Sequence, residues 1–470
     1  MKKNSKVKSA IIEEQPSEIE ELLSEIESTQ IEESSIETIP AQEIQIEEIQ
    51  VKEPQVKYVP ITSKISETKN PPPIIENKIK LNPMRIAILS WESLHSISIG
   101  GIAVHVTELA SALERKGHEV HVFTRMGRPD HALYERIHGV HYHRVPYNGH
   151  SDFIEDVNNM CRSFVTTVFQ VEDYMGAHFD IVHAHDWLTS NAMVWIKQGR
   201  GRKAILTIHA TEYGRCGNNF YGGPSARIRD HERHGTYCAD KVISVSYTLK
   251  SEIMWMYNLP DWKVCPIYNG VNYKQFDGFI DPGDVKKRFG IGPLDPMVLF
   301  AGRMTIQKGP DLLVEAIPYI LRHYPNAKFV FAGDGHLRGA VENRARQLGI
   351  THATRFIGHQ NAWGLLDLFR ACQCVCVPSR NEPFGIVILE AWSAGKPVVA
   401  TEIGGPSEFV WNDVTGYRIK PQSNSIAWGI GTLFANLEHA KWMGQNGRNA
   451  VEKDFSWDVI AEHTLGVYRS

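Results

Sequence analysis

From Met84 onward the chain alternates short apolar runs of β type with segments of helical period, in two successive series. In the first, Met84 to Leu89 (MRIAIL) is a β-type run, and a polar, glycine-bearing loop follows from Ser90 to Gly101. Ala103 to Lys116 then carries a helical period ended by Gly117, where a C-cap glycine is favoured. Glu119 to Thr124, Asp180 to Ala184, Ala204 to Ile208 and Lys241 to Val245 read as further strands. The second series starts near Met297 and runs strand, helix (Gly309 to Tyr324), strand (Lys328 to Ala332), helix (Leu337 to Leu348) and strand (Thr354 to Ile357). Ala362 to Arg370, Cys372 to Val377, Gly385 to Ala394 and Lys396 to Ala400 continue the alternation. Parallel strands need crossovers, and each crossover helix must bury its apolar face on the sheet, so such a pattern has few solutions. It predicts an α/β protein with two doubly wound lobes facing across a cleft, joined at a seam around Phe276 to Pro296. Ligands of open α/β sheets bind outside the carboxyl ends of the strands, which assigns the chemistry to that cleft.

Ahead of the first strand, Met1 to Pro83 holds 10 Lys and no Arg against 16 Glu and no Asp, with Tyr58 as its one aromatic. The net charge of the 470-residue chain, -4, is therefore a -6 arm joined to a +2 remainder. So little aromatic mass cannot offset the entropy of ordering, and residues 1–83 read as a disordered acidic arm or linker. Its spaced isoleucines, such as Ile44, Ile46 and Ile49, offer an amphipathic pattern to a protein partner. No apolar core follows the first lysines and no run of about 18 apolar residues occurs, so neither a secretory signal nor a transmembrane segment is expected. The near-neutral balance argues against nucleic acid, and an anionic ligand must be held by a few placed cations.

Seven cysteines without a signal point to a reducing compartment, and a cytoplasmic location is expected. Cys372, Cys374 and Cys376 alternate, which puts all three on one face of a buried strand as small core residues rather than metal ligands. His138, His141 and His143 read as period-2 exposure on a strand.

The run from Arg380 to Glu390 (RNEPFGIVILE) carries two carboxylates eight positions apart. Glu382 falls in the loop leaving the cysteine strand, and Glu390 about two turns into the next helix, on an otherwise apolar face where it needs a polar partner. Between them the amides of Phe384, Gly385 and Ile386 stand at a helix N-terminus, where they can cap a diphosphate. Gly302, Arg303, Lys308 and Gly309 place two cations around a loop-to-helix corner after a strand, able to neutralise a diphosphate leaving group.

These residues together resemble the retaining glycosyltransferases of the GT-B fold, family 4, and the related glycogen and starch synthases. Further motifs in the same order carry the resemblance: Gly100-Gly101, His183-Ala184-His185-Asp186-Trp187, Tyr268-Asn269-Gly270-Val271-Asn272, Ala332-Gly333-Asp334-Gly335 and Gly404-Gly405-Pro406-Ser407-Glu408. Thr207 to Arg215 looks like the glycogen-synthase-like branch of archaea and some bacteria. The resemblance spans roughly Arg85 to the C-terminus. It implies an N-terminal Rossmann-like acceptor lobe over 84–276, a C-terminal Rossmann-like donor lobe over 277–456, and a last helix, 457–470, that crosses back to the first lobe.

It also implies a retaining, metal-independent hexosyltransferase that moves a hexose, glucose in the synthases, from UDP-glucose or ADP-glucose to a glycan in glycogen-like synthesis. The alternatives are a family-4 transferase making a small glycoside or a lipid or cell-wall glycan, and a glycan-binding scaffold with a retired site. Arg303 and Lys308 would grip the diphosphate, Glu382 the sugar hydroxyls and Glu390 the ribose. Gly101, Phe384 and Gly385 would face the phosphates, and His185 the sugar near the reacting carbon, with Asp186 in support. Because His183 and His185 alternate, one imidazole is expected to face the cleft and the other the sheet, with His185 in the cleft. No Asp-x-Asp occurs, and no metal or other cofactor is expected. The synthases that use ADP-glucose commonly carry Lys before the paired glycines, where this chain has Ile99.

Overall fold

A computed structural model describes residues 82–98 and 100–470; the expected acidic arm, save its last two residues, and Ile99 lie outside the described residues. The described residues form two sheets. The first contains β1 (Arg85–Ser90), β2 (Glu119–Arg125), β3 (Tyr134–Ile137), β4 (Val140–Val145), β5 (Ile181–His185), β6 (Lys203–Ile208), β7 (Lys241–Ser244) and β8 (Val264–Pro266), in the order β3-β4-β2-β1-β5-β6-β7-β8. Only β3 runs antiparallel to its neighbour. The second contains β9 (Met297–Ala301), β10 (Lys328–Ala332), β11 (Thr354–Gly358), β12 (Cys374–Val377), β13 (Val398–Thr401) and β14 (Gly416–Ile419), all parallel, in the order β11-β10-β9-β12-β13-β14. Both are doubly wound, as the alternation predicts.

Strand order reverses between β1 and β5 in one sheet and between β9 and β12 in the other. At such switch points the two flanking loops diverge and leave a crevice. Gly101, His185, Arg303 to Lys308 and Glu382 all lie at or just beyond the carboxyl ends of these four strands, so topology alone gathers the candidate residues at that end of the sheets.

β3 and the helix Phe153–Met175 have no counterpart in the sequence reading, and β4 entered it only as the strand expected around His141 and His143. The hairpin strands carry Glu, Arg and four Tyr or His side chains where an apolar alternation would have been recognised. The three cysteines also sit differently from expectation. β12 starts at Cys374, so Cys374 and Cys376 share one face and one core, whereas Cys372 caps the preceding helix Ala362–Ala371 and packs into another. The histidines correct a second expectation. His138 occupies the turn between β3 and β4 at φ 47°, while His143 is buried and joins His121 of β2 through a 3.0 Å nitrogen contact. His141 stacks on His121 with ring centroids 4.3 Å apart, so β4 carries a packed imidazole column instead of exposed rings.

The last helix, Trp457–Arg469, lies on the first lobe. Ile460, Leu465 and Tyr468 join a core with Ile86, Val106 and Leu109, and Asp458 pairs with Arg115 at 2.7 Å. The two chain crossings between lobes touch each other, since the amide of Val271 donates to the carbonyl of Phe455 at 2.9 Å.

Candidate active site

Loop chemistry around β12 shapes the second lobe's side of the cleft. Arg380 pairs with Asp311 through both terminal nitrogens, and its amide donates to the carbonyl of Gln307 at 2.8 Å, tying this loop to the one that carries Lys308. Lys308 Nζ then lies 2.9 and 3.1 Å from the two carboxylate oxygens of Glu382, which also accepts from Ser379 Oγ at 2.9 Å. Glu382 is 5% exposed, and these three bonds compensate its carboxyl oxygens for the water lost on burial. The amide of Gly405, in the Gly-Gly-Pro-Ser-Glu run, donates to the carbonyl of Glu382 at 2.9 Å and fixes the backbone.

Phe384 is buried, and Gly385 takes φ +99° as the N-cap of the helix Ile386–Ser393, a conformation that favours glycine. Gly101 opens the helix Gly101–Arg115 of the other lobe. A Cβ on Gly101 would stand 3.2 Å from Cδ1 of Ile386, so two helix N-termini, one from each lobe, converge at this point. The positive ends of both dipoles favour an anion between them. Glu92 already takes the amides of Gly100 and Ala103, at 2.9 and 3.3 Å, and occupies part of the first lobe's end. Arg303 follows Gly302 at the end of β9, exposed, with no described residue bonded to its side chain.

Glu390 is half-buried on the helix Ile386–Ser393 between buried Leu389 and Ala391, and no described side chain bonds its carboxyl. Loss of water around it pushes the carboxyl up to about 7.

On the first lobe, His183 and His185 do not divide between cleft and sheet. Residues two apart on a strand share a face, and the rings lie 4.4 Å apart. His183 is spent on Tyr468 Oη (2.7 Å) and Thr207 Oγ1 (2.6 Å). His185, 1% exposed, meets His209 at 3.1 Å through Nδ1, and its buried Nε2 has no hydrogen-bond partner among the described residues. His105 completes the cluster, held by Asn269 at 2.8 Å. Burial keeps all four imidazoles neutral: His183 and His209 fall to about 3, and His105 and His185 lie well below their ordinary value.

The ligating nitrogens of His105, His185 and His209 lie within 4.8 Å of one another, a spacing at which three imidazoles can share an ion. Asp186, at φ 57°, accepts from the His209 amide at 2.7 Å and from Arg215 Nη2 at 2.8 Å, so it holds the strip that carries His209. Burial pushes the Asp186 carboxyl up, while Arg215 opposes that rise.

The structure thus brings Lys308, Glu382, Gly385 and Gly101 together, and sets His185 in a separate histidine cluster. His105 escaped the sequence reading, and His209, Asn269 and Arg215 entered it only within motifs that carry the resemblance, with no role of their own. A histidine four residues after Gly101 on a helix carries no signal of its own, because its neighbours come from β5, from the end of β6 and from the seam. An open hollow of about 550 Å³, lined by Lys203, Lys241 and Trp262, lies at the amino ends of β6 and β7, away from this chemistry.

Comparison with known proteins bears on this geometry. The sequence profile of Glycosyltransferase Family 4 matches residues 99–275, and that of Glycosyl transferases group 1 matches residues 284–450. An uncharacterized glycosyltransferase of Methanocaldococcus jannaschii is 36% identical over 394 residues, covering 82% of this chain and 98% of that protein. A glycogen synthase of Mycobacterium tuberculosis is 28% identical over 400 residues, covering 82% and 94%. The solved sucrose-phosphate synthase of Thermosynechococcus elongatus superposes with a TM-score of 0.69 at 23% identity, covering 82% and 98%, and shares the GT-B arrangement of two Rossmann-like lobes. With both lobes matched in order and the switch-point loops bearing the motif residues, the chain belongs to the group 1, family 4 glycosyltransferases.

Proposed function

We propose that the protein is a retaining transferase that moves glucose from UDP-glucose or ADP-glucose to a glycan, in glycogen-like α-glucan synthesis. The observation that carries this reading is the Lys308–Glu382 pair beside the point where two helix N-termini meet. The glycogen synthase relative supports the choice of acceptor.

With donor bound, Lys308 turns from Glu382 to the diphosphate, Arg303 adds a second positive charge, and Glu382 is released to accept from sugar hydroxyls. Glu390 accepts from the ribose. The bond from the anomeric carbon to the phosphate oxygen breaks with its electron pair going to the nucleoside diphosphate. The acceptor oxygen bonds to the same face of that carbon, and its proton passes to the departing phosphate. The neutral imidazoles near His185 position the sugar instead of supplying a strong base. Charge stabilisation of the leaving group is the larger demand, and two side-chain cations with helix amides meet it without a divalent ion at the donor. The seven thiols are free, which suits a reducing compartment and the cytoplasm. Among the described residues no helix is long and apolar enough to cross a membrane.

The experiment is product detection with UDP-, ADP- and GDP-sugars against maltooligosaccharide, sugar-phosphate and water acceptors, with chelator present and the product anomer read by NMR. Transfer to maltooligosaccharide with α configuration is expected to survive the chelator. Lys308→Ala and Glu382→Ala are each expected to lower kcat by about 100-fold or more. Full rates in both variants would remove the site from this position.

A further inference from the structure

Exposed aromatic rings gather at one edge of the cleft. Phe220 is 59% and Trp255 63% exposed, and both lean on half-buried Tyr213, with centroids 4.8 and 5.5 Å from it and 6.0 Å from each other. Water penalises such a group of apolar faces, so on a folded protein it marks a surface that something covers. The group is also held in place. The amide of Asn218 returns to the carbonyl of Tyr213 at 2.9 Å, Arg229 Nη2 grips the carbonyl of Tyr221 at 2.6 Å, and the Arg229 guanidinium sits 5.3 Å from the Phe220 ring.

The same loop reaches the donor side. Asn381, next to Glu382, donates from Nδ2 to Asn218 Oδ1 at 2.8 Å, and a Cβ on Gly214, the neighbour of Tyr213, would stand 3.1 Å from that Nδ2. The loop that carries the rings is therefore anchored to the residue beside Glu382.

We infer that these rings form a platform on which a neutral glycan acceptor chain lies, its growing end directed at Glu382. The inference rests on the transferase reading above and specifies how its acceptor is held. Pyranose rings present apolar C–H faces to aromatic rings and hydroxyls to polar groups; beside these rings Asn218 keeps its Nδ2 after Asn381 takes its Oδ1, while Asn219 Nδ2 is spent on the carbonyls of Cys216 and Gly217. A lipid headgroup surface fits less well. Arg229 is turned inward onto the Tyr221 carbonyl, the Ser225 hydroxyl and the Phe220 ring, and Lys250 pairs with Asp261 at 2.7 Å, whereas an anionic bilayer calls for basic side chains turned outward. Preorganised rings also spare the acceptor the cost of ordering a loop.

The test uses the full chain with Phe220→Ala and Trp255→Ala, both exposed positions. Binding of maltoheptaose and of mannan and galactan oligomers is measured by calorimetry, together with transfer kinetics on maltose and maltoheptaose and binding to phosphatidylglycerol vesicles. Each variant is expected to bind the long chain about tenfold more weakly, as for an aromatic contact worth about 1.4 kcal/mol. KM for maltoheptaose should rise alike, with kcat, donor affinity and KM for maltose unchanged. Unaltered long-chain binding in both variants overturns the platform, as does a wild type that binds no glycan, or a loss confined to vesicle binding. A wild type that binds a glycan through these rings yet transfers sugar to none upholds the platform and defeats the transferase reading instead.

Discussion

Glu390 shows how much a single side chain can carry. The apolar stripe around it is plain in the sequence, and so is the conclusion that a carboxylate there needs a polar partner; the described residues provide none. Its carboxyl rises from 4.5 to about 7 through loss of water. A folded pKa above the unfolded one means that the native state keeps a proton the unfolded chain has lost. The stabilisation is complete below about 4.5 and disappears as pH rises through about 7. Glu390→Gln is therefore expected to raise the melting temperature near pH 8 and leave it unchanged near pH 4, as read by calorimetry. Equal shifts at both pH values would mean that water reaches the carboxyl. If Glu390 receives the ribose, the same variant weakens donor binding near pH 8. Lys308 and Glu382 were legible as site candidates from loop position, but their mutual ion pair was not. It joins residues 74 positions apart, through loops whose approach Arg380 and Gly405 set.

Elements were legible where their period was strong. The β-type runs and the helices that follow them appear close to their expected ends. The helix Phe153–Met175 is absent from the sequence reading although Val157, Cys161, Phe164 and Val168 recur at i, i+4, i+7 and i+11, a spacing that does signal a helix. Its start has a clear physical cause nonetheless. Asp152 accepts from the amides of Ile154 and Glu155, both at 3.0 Å, and its charge also meets Arg227 at 2.9 Å. Asp152→Ala should cost about 1 kcal/mol in urea unfolding, the usual worth of an N-cap. Asp152→Asn keeps the cap and loses an exposed ion pair, and should cost no more than a few tenths of that. Equal losses in the two variants would assign the stabilisation to the ion pair. The histidine column on β2 and β4 teaches the converse. Spacing of two fixes which residues share a face, but whether that face meets water depends on the neighbouring strand.

At the scale of the whole molecule, the lobes are joined by more than the two chain crossings. Glu408 of the second lobe accepts from the amides of Tyr247 and Thr248, at 3.0 and 2.6 Å, and so caps a helix of the first lobe; Thr248 Oγ1 and Tyr268 Oη add bonds at 2.7 and 3.1 Å. Hydrogen bonds to a charged group contribute about 2 kcal/mol, so Glu408→Ala should move the equilibrium toward a more open cleft by roughly 30-fold. X-ray scattering should show a larger radius of gyration with the melting temperature nearly unchanged, and identical scattering would deny Glu408 this clasping role. By itself the sequence determined the two doubly wound sheets and the loops that carry the chemistry, because periodicity and loop composition are local and the carboxyl-end rule converts them into a location. Only the tertiary structure decided that His105, His185 and His209 meet, that Lys308 is held by Glu382, and that Glu408 spans the lobes. Each of these depends on how helices pack across sheets and how the two lobes close, which brings together residues that local sequence leaves far apart.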